Sequence, residues 1–593
     1  MSPCCSKPGR FRAARHSWLT GVFSHDDISS KKYRVNSLAK VGRRLWGSVR
    51  LLISRYRITA AERSFFNYAR EATKRVARGG PIVVVEAVED HYYVALFGSI
   101  VAGLCVEQTI DTEQFLPRSL RPGGTRSVFH FLKGVVYYNA LTDRKWERLY
   151  GAFCRRVAYK SASSLVSRNS FADLLHARRI WKKLESKESL VELTIAGIKV
   201  GDLIYDSYLR FKPAATVDLK SRYLWIVIWQ AMRDIRAARA YMFTVRPKMF
   251  LTTYSTYIQH GIAARTALAA GVEVFTFGNY QEFYKKLSPT DWMHTRNPDS
   301  YRLDFAMLEN PLPKLAEADR ALSARLSGVN DAATAYMRRS AYGTTAELPE
   351  GLSGSLMLFL HDFFDSPHCY QWMIFPDFLE WATFTLDLAR EAGIKVFVKP
   401  HPNQIASSKS VVKMLMAKYP DVIWLSTNTS NVHLAQAGIA CAVTIHGTVA
   451  HEMAYLGIPT IAAGHNPHIS FAISHTAHNR DEYRQMILKY KTLPHSAADL
   501  RRGTLQFYCM HNLTMTPDEV ALQDVTRRFR ALIADKGDWL YDGADFSSFV
   551  EEISTHAAFK RTCRELAAHL IADSGCKPSP NPVTQSHEKV GVL

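Results

Sequence analysis

The chain has 593 residues, of which 47% are hydrophobic and 22% charged, and 75 lysines and arginines against 54 aspartates and glutamates give a formal net charge of +21. This composition excludes a disordered chain, allows roughly two to four domains of about 100–200 residues, and favours an anionic partner. Nine scattered cysteines without CxxC pairs exclude a disulfide framework and a zinc site of the usual spacing, and they predict a reducing compartment.

Residues 1–80 are predicted to form a basic helical arm. In the stretch "SLAKVGRRLWGSVRLLISRYR" (37–57), apolar residues recur near the helical period, with lysines and arginines between them. This pattern indicates either a helix lying on an anionic membrane surface or a helix docked on the protein with a solvated basic face. The chain shows neither a signal-peptide core nor a run of about 18 apolar residues. We therefore expect a cytoplasmic protein, at most peripheral on the inner face of the cytoplasmic membrane.

Residues 81–350 are predicted to form a first α/β domain with helical insertions. The stretch "GGPIVVVEAVED" (79–90) has a glycine–proline turn and then a β-branched run, which is typical of a strand buried on both faces. The stretch "KMFLTTYSTYIQHGIAARTALAAGVEVFTFGNY" (248–280) indicates strand, helix and strand. The turn-rich segment 281–354, with "NPDS", "NPLP" and "LPEGLSG", predicts a domain boundary.

Residues 351–515 are predicted to form a second α/β domain. The apolar runs "LMLFLHD", "IKVFVKP", "DVIWLS", "CAVTIHG" and "PTIAAG" alternate with helical patterns, which predicts a parallel doubly wound sheet. A helical segment is expected over 516–573. The proline- and serine-rich end, 574–593, is expected to be disordered.

The carboxyl ends of the predicted strands in the second domain are polar. Ligands of open parallel sheets bind beyond these ends. In "VFVKPHP" a strand ends on Lys399 and His401, two side chains that can bind a phosphate, and each is followed by a proline that fixes the backbone. The alternative for this segment is a plain turn.

The stretch "HGTVAHEM" (446–453) is the second candidate for phosphate binding. Gly447 lets the backbone approach a ligand, and Thr448 is expected to cap a helix whose free N–H groups face an anion. Glu452 is expected to accept hydrogen bonds from the hydroxyls of a ribose. The alternative is that Thr448 only caps the helix and that Glu452 is solvated. The predicted donor site also includes Asn428, Ser430 and His446.

The segments "VKPHP", "HGTVAHEMAYLGIPTIAAG" and "STYIQHGIAARTALAAGVEVFTFGNY" resemble glycosyltransferases of capsule-polysaccharide and surface-glycan biosynthesis with GT-B architecture. The resemblance covers roughly residues 81–480. It implies an α/β fold with two Rossmann-like parallel-sheet domains facing across a cleft, and extra N- and C-terminal helices. In related Kdo- and sialyltransferases a His-Pro motif contacts the phosphate of a CMP-sugar, which implies this role for Lys399 and His401, with Gly447 and Thr448 on the same group. Sialyltransferases often have paired serines where this chain has Gly447 and Thr448, so the CMP assignment stays open.

The general base that activates the acceptor is expected in the first domain, across the cleft from the donor. Glu89, Asp90 and His91 follow the first predicted strand, and a carboxylate there could accept the acceptor proton. The alternative is that these residues form a polar loop or cap the next helix. No DxD motif stands at a convincing strand end, so we expect no metal and no cofactor besides a nucleotide-sugar co-substrate.

Residues of the second strand–helix unit in the first domain are expected to bind the acceptor. They are Gln259, His260 and Arg265. Arg265 could hold an acidic group of the acceptor or the donor, and the alternative is an ion pair at the surface.

The sequence thus predicts a glycosyltransferase that moves a sugar from a nucleotide-sugar, with a CMP-sugar favoured, to a surface or capsular polysaccharide or a glycolipid. Lipid-linked glycans and an anionic membrane are the further expected partners. A polyol-phosphate transferase of the teichoic-acid type and a nucleotide-sugar epimerase remain alternatives, as does a polymer-export partner with a degenerate transferase fold. A nucleic-acid-binding protein is disfavoured because no nucleic-acid module is recognisable.

Overall fold

Two parallel β-sheets, each wound from strands that are buried on both faces, organise the chain. The computed structural model describes residues 60–73, 80–88, 90–116, 146–154, 156–160, 170–277, 279, 281–329, 347–402, 404–536 and 543–571. The predicted basic helix 37–57 and the predicted disordered tail 574–593 lie outside the described residues.

The first sheet has six strands in the order β3-β2-β1-β6-β7-β8, and all neighbours pair in parallel except β7 and β8. Its first strand, "IVVVE", has three consecutive valines buried between the layers on either side. A small antiparallel hairpin of β4 and β5 stands apart from the sheet. The strands are β1 (Ile82–Glu86), β2 (Asp111–Leu116), β3 (Arg156–Lys160), β4 (Thr194–Ile195), β5 (Ile198–Lys199), β6 (Met249–Thr252), β7 (Glu273–Thr276) and β8 (Lys285–Leu287).

The second sheet repeats this topology, with six parallel strands in the order β11-β10-β9-β12-β13-β14. The predicted doubly wound sheet is thereby confirmed, as is the predicted fold class of two Rossmann-like parallel-sheet domains. The strands are β9 (Leu356–Phe359), β10 (Val396–Lys399), β11 (Ile423–Trp424), β12 (Cys441–Thr444), β13 (Thr460–Ala462) and β14 (His475–Thr476).

Helices cover both sheets and supply most of the core. In chain order the α-helices are α1 (Ala60–Ala72), α2 (His91–Glu107), α3 (Ser170–Lys183), α4 (Lys187–Val191), α5 (Gly201–Phe211), α6 (Arg222–Val245), α7 (Ile262–Ala269), α8 (Tyr301–Ala306), α9 (Pro311–Leu326), α10 (Phe378–Glu391), α11 (Ala406–Lys418), α12 (Asn431–Gln436), α13 (Val449–Tyr455), α14 (Arg480–Leu488), α15 (Ala497–Asn512), α16 (Pro517–Lys536), α17 (Gly543–Thr555) and α18 (Ala557–Ile571). A π-helical turn (Tyr257–Gly261) precedes α7, and 3₁₀ turns occur at Ile469–Phe471 and Tyr490–Thr492.

The last three helices return to the first domain. Helix α2 is apolar around its whole circumference, and such a helix needs packing partners on every side. The first sheet covers one side, and α16, α17 and α18 cover the others with residues such as Phe529, Phe546 and Phe559. Helix α1, from the predicted basic arm, packs against α17.

The segment predicted as a turn-rich boundary, 281–354, contains helices instead. Helix α9 spans 16 residues of it and starts with a proline in its first turn, a position that proline favours. It packs against α15 of the second half of the chain. The proline-rich letters "NPLP" therefore mark a helix start, which the turn interpretation overlooked. In the part of the chain that the structure describes, no helix is long and apolar enough to cross a membrane.

Candidate functional site

Each sheet has a switch point, the gap between two neighbouring strands whose connections run in opposite directions. In the first sheet this gap lies between β1 and β6, and in the second between β9 and β12. Rossmann-like sheets bind their ligands at the carboxyl ends of the strands that flank such a gap. A ligand of either domain is therefore expected beside the residues that follow β1, β6, β9 and β12.

The carboxyl edges of the two sheets face each other. Tyr257, in the π-turn after β6, lies beside Ser366, in the loop after β9. In the same junction, Nδ1 of His368 lies 2.6 Å from Oδ1 of Asp206, and the Tyr205 hydroxyl donates to Asp377 over 2.5 Å. Residues near the two switch points thus meet at one junction between the domains.

The first switch point holds a histidine oriented by a buried carboxylate. Glu86 ends β1 and is fully buried, and its Oε1 lies 2.7 Å from Nδ1 of His260. Its other oxygen accepts from the Thr252 hydroxyl over 2.5 Å. On the far side of the imidazole, Nε2 of His260 lies 2.8 Å from the side-chain nitrogen of Gln259. A proton on Nδ1, donated to Glu86, leaves Nε2 with a lone pair, which is the arrangement of a general base.

The π-turn that carries His260 is conformationally strained. Tyr257, its first residue, has φ of +59°, in the left-handed region that residues with a β-carbon rarely adopt. A π-helical turn and a left-handed residue persist where the surroundings hold them, and both are frequent at functional sites. Here the contact of Tyr257 with Ser366 in the second domain provides that support.

The second switch point brings together three histidines. Lys399 pairs with Phe359 and Val443 pairs with Leu358, so His401, His361 and His446 follow three adjacent strands at the same level. The rings of His361 and His446 lie 4.7 Å apart. The structure therefore brings together two predicted donor-site residues, His401 and His446, and adds His361 between them.

All three imidazoles have lowered pKa values. Burial is the main cause for each, since it penalises the charged form. It lowers the pKa of His446 to about 4 and that of His361 well below its usual range, with repulsion from the neighbouring imidazoles adding to the effect. The pKa of His401 is lowered less far, because Asp362 and Asp365 oppose the burial. The three imidazoles are thus neutral at pH 7.

The loop after β10 is held by Asp362. One of its oxygens accepts from the backbone N–H of Ile405 over 3.0 Å and the other from the Ser408 hydroxyl over 2.5 Å. These bonds tie the loop that contains His401 to the end of β9. These bonds fix the position of the loop that carries the His401 imidazole. The described residues contain no cluster of three or more His, Cys, Asp or Glu side chains suited to a metal ion.

Lys399 and Glu452 lie inside the protein, away from the position expected for donor contacts. The Lys399 ammonium donates to Asn431 over 2.6 Å, and the Asn431 amide donates to Glu452 over 2.7 Å. The second oxygen of Glu452 accepts from Arg325 of α9 over 2.8 Å. Lys399 and Glu452 are nearly fully buried, and burial lowers the pKa of Lys399 to about 8. Both oxygens of Glu452 are engaged, so the expected contact with a ribose has no free acceptor there.

The helix start at "HGTVAHEM" differs from the expectation. Helix α13 is seven residues long, and Thr448, at its N-cap position, has helical backbone angles and forms no side-chain capping bond. A helix this short provides little of the dipole that was expected to attract an anion. Gly447 is closely packed at the end of β12, because a β-carbon there would lie 2.8 Å from the Thr444 hydroxyl and 3.4 Å from the His361 ring.

The two other predicted donor residues lie beside β11. Asn428 is exposed in the loop after this strand. Ser430 is buried at the N-cap position of α12, without a side-chain capping bond. Asn431, the next residue, accepts the hydrogen bond from Lys399 described above. The loop after β11 therefore contacts the end of β10 through Asn431 and not through Ser430.

The predicted catalytic segment after β1 has a structural role. The Asp90 carboxylate caps α2 and accepts from the Tyr92 backbone N–H over 2.8 Å. His91 is fully buried, with its ring 5.0 Å from that of Trp146, so it has no access to an acceptor. Glu89 lies outside the described residues. The alternative that this segment caps the next helix is what the structure shows for Asp90.

The three predicted acceptor residues separate into two groups. Gln259 and His260 form the arrangement with Glu86 at the first switch point. Arg265 is buried, forms two hydrogen bonds of 2.8 and 2.5 Å to the Asp202 carboxylate, and donates to the Lys199 carbonyl over 2.7 Å. Its ion pair with Asp202 is internal, so Arg265 supports the fold and does not face the interdomain space.

Glu86 is a candidate functional residue that the sequence patterns did not single out. An acid at the end of an otherwise apolar strand, as in "IVVVE", is a signal that could have singled it out, since a buried carboxylate needs a partner.

Comparisons with known proteins give low similarity. No family model and no curated protein matches the chain. Similar solved structures include UGT2 of Phytolacca americana in complex with UDP-2-fluoro-glucose and pterostilbene, with 9% identity, 80% of this chain and 100% of that chain covered, and a TM-score of 0.23. A UDP-glucosyltransferase from Polygonum tinctorium that glucosylates indoxyl, in complex with 3,4-dichloroaniline, has 10% identity over 84% and 99% of the two chains, with a TM-score of 0.21. The UDP-GlcNAc 2-epimerase of Neisseria meningitidis, bound to UDP-GlcNAc, has 9% identity over 80% and 99%, with a TM-score of 0.17. At these scores no activity or site is transferred from any of them, and the fold of this chain rests on its own sheet topology.

Proposed function

We propose that this chain is a glycosyltransferase that moves a sugar from a nucleotide-sugar to a hydroxyl group of a glycan acceptor. One observation carries the proposal: the two switch points face each other, with Glu86 and His260 at one and His361, His401 and His446 at the other. A base on one side and neutral, protonatable imidazoles on the other match the two needs of glycosyl transfer. These needs are an activated acceptor and a stabilised leaving phosphate.

On the acceptor side, His260 acts as the general base. Its Nε2 takes the proton of the acceptor hydroxyl as the oxygen forms its bond to the anomeric carbon. Glu86, on Nδ1, stabilises the imidazolium that results and holds the ring in the required tautomer. Gln259, which is partly exposed, moves from Nε2 to the acceptor when the acceptor binds.

On the donor side, His401 binds the phosphate next to the sugar. As the bond between the anomeric carbon and the phosphate oxygen breaks, the nucleotide leaves with the bonding electrons. His401 stabilises this charge by donating a hydrogen bond, and it becomes a stronger donor when the phosphate raises its pKa. Gly447 allows the backbone after β12 to approach the same group. Lys399 acts indirectly, through Asn431, by holding the ends of β10 and β12 together.

The finer assignments are parts of the same proposal. A CMP-sugar is the favoured donor and a surface or capsular glycan the favoured acceptor, both from the segments quoted for the resemblance. A lipid-linked glycan at an anionic membrane is consistent with the net charge of +21. The lack of a DxD motif favours transfer without a metal ion.

A thermal-shift screen with CMP, UDP, GDP and CDP-glycerol tests the proposal. We expect one nucleotide class to raise the melting temperature of the wild type, and this shift to be lost in His401→Ala. The matched control is His495→Ala, an exposed histidine far along the chain from the strand ends. No shift with any nucleotide, or the same shift in His401→Ala as in the wild type, would contradict the proposal. Incubation of the donor with and without a glycan then separates a transferase from an epimerase, since only the transferase needs the acceptor for turnover.

A further inference from the structure

Helix α3 exposes a stripe of apolar and cationic side chains that the proposed function does not use. Phe171, Leu175, Arg178 and Lys182 are spaced i, i+4, i+7 and i+11, which places them in one line along the helix. All four are exposed, with 68% of Phe171 and 42% of Leu175 accessible. We call these four residues the α3 stripe. The neighbouring line adds the exposed side chains of His176, Arg179 and Lys183.

The opposite side of α3 is firmly packed on α6. Trp181 stacks on Trp225 with ring centroids 6.1 Å apart, and Asp173 pairs with Arg236. Asp173 is the only acid in the helix, and it is buried. The exposed side of α3 is therefore a fixed surface that carries cations and no carboxylate from its own helix.

The end of α6 extends the apolar part of this surface. Because Trp181 meets Trp225 while Asp173 meets Arg236, the two helices run antiparallel, and the end of α3 with Phe171 lies toward the C-terminal end of α6. There Phe243 is 42% exposed, and the guanidinium of Arg239 lies 5.7 Å from the centre of its ring. Aromatic and aliphatic side chains thus gather at one end, beside Arg239, and the lysines of α3 lie at the other end.

We propose that the α3 stripe docks on an anionic lipid surface. A helix lying in the plane of such a surface buries its apolar side chains among the acyl chains, while its lysines and arginines meet the negative headgroups. A nucleic acid would bind the cations but would leave Leu175 in water, since a leucine does not stack on bases as an aromatic ring does. An anionic lipid surface can bind both the apolar and the cationic side chains of the α3 stripe.

The position of the stripe connects docking to the interdomain space. Its cationic end, Lys182 and Lys183, is followed by Lys187, which forms an ion pair with Glu380 of the second domain. A surface that meets α3 therefore lies beside the junction of the two domains. Docking itself does not depend on the proposed function; the idea that it presents a lipid-borne acceptor to the site rests on that function.

Co-sedimentation of the full chain with vesicles tests the docking. The probes are vesicles of phosphatidylcholine alone and of phosphatidylcholine with about one third phosphatidylglycerol, at about 0.1 M salt. We expect the wild type to bind the anionic vesicles and not the neutral ones. The double variant Arg178→Gln/Lys182→Gln should weaken binding roughly thirtyfold, from a loss of about five- to sixfold for each cation. Phe171→Ser/Leu175→Ser should weaken it about tenfold or more.

The matched control is Lys409→Gln/Lys413→Gln on α11, which removes two exposed cations from another helix of similar length. We expect this control to bind as the wild type does. Equal loss in the control and the stripe variants, or no loss in either stripe variant, would overturn the proposal. So would a preference for single-stranded RNA over anionic vesicles in direct competition. Unchanged thermal melting and nucleotide-induced shifts in the stripe variants would show that the variants fold, so docking and the proposed function are tested separately.

Discussion

Nδ1 of His260 lies 2.7 Å from Oε1 of Glu86, and the two residues come from opposite sides of the switch point in the first sheet. Glu86 is fully buried, so its hydrogen bond to the imidazole lies in a medium of low polarity. In the proposed mechanism this pair is the general base of the first domain.

We predict that His260→Asn and Glu86→Gln each lower the rate of transfer, because one removes the base and the other removes the charge that stabilises its protonated form. The expected loss in kcat is about 10²–10⁴-fold for His260→Asn, with a smaller loss for Glu86→Gln. Steady-state kinetics with the donor identified by thermal shift measures both. KM for the donor should change little, since neither residue touches it.

His495→Asn serves as the control for these kinetics, because His495 is exposed and hydrogen-bonds only locally, to the Leu493 carbonyl. A kcat that survives His260→Asn within a few-fold would exclude His260 as the base.

We predict that the nucleotide binds more tightly as the pH falls. Burial lowers the pKa of His401 in the free protein, and a phosphate beside it raises that pKa. Between the two values the complex holds a proton that the free protein lacks, so affinity increases by up to about tenfold per unit of decreasing pH. Calorimetry in buffers of different ionisation enthalpy should detect proton uptake on binding. The same uptake in His401→Ala would assign the proton to another group.

Gly447→Ala should weaken nucleotide binding about tenfold or more while the protein stays folded. The added methyl group would lie 2.8 Å from the Thr444 hydroxyl and 3.4 Å from the His361 ring, so the end of β12 must shift. Gly271→Ala is the control: its β-carbon meets open space, but φ of +76° makes the substitution strained. That control should lose stability and keep its nucleotide affinity. The opposite pattern would mean that Gly447 is remote from the ligand.

Glu452→Gln should destabilise the protein by about 3–5 kcal/mol, because it removes the charge of one member of a fully buried ion pair, Glu452 with Arg325. Chemical denaturation followed by the fluorescence of the tryptophans measures the loss. Asp421→Asn, which breaks the exposed pair between Asp421 and Arg390, is the control and should change little. An equally small effect of Glu452→Gln would show that its contacts with Arg325 and Asn431 are dispensable.

The histidines of the second sheet could be predicted from the sequence because parallel strands end at one edge. Once "IKVFVKP" and "CAVTIHG" are recognised as neighbouring strands, His401 and His446 must lie close together. The fold class followed from the same alternation of strands and helices.

The contacts of Lys399 and Glu452 could not be predicted in this way. Glu452 binds Arg325, which lies on α9, in a segment whose prolines indicated turns, and Lys399 is connected to Glu452 through Asn431. The sequence places Lys399 and Glu452 near the carboxyl edge of the second sheet. It does not reveal that α9, from another part of the chain, supplies the guanidinium that neutralises Glu452.

The pairing of Glu86 with His260 could not be predicted from the sequence either, because 174 positions separate the two residues. The π-turn before α7, which the helical pattern of "IAARTALAAG" does not reveal, sets the direction of the His260 ring. Asp90 and His91 looked catalytic because they are polar and follow a strand, yet one caps α2 and the other packs against Trp146.

A crystal structure of the protein with the nucleotide selected by the thermal-shift screen tests the central claim most directly. We predict that the phosphate of the nucleotide lies between the ends of β9 and β12, within hydrogen-bond distance of the His401 imidazole, and that the open side of the site faces Nε2 of His260. A nucleotide bound at another edge of the second sheet, or at the first sheet, would contradict the proposed transferase mechanism.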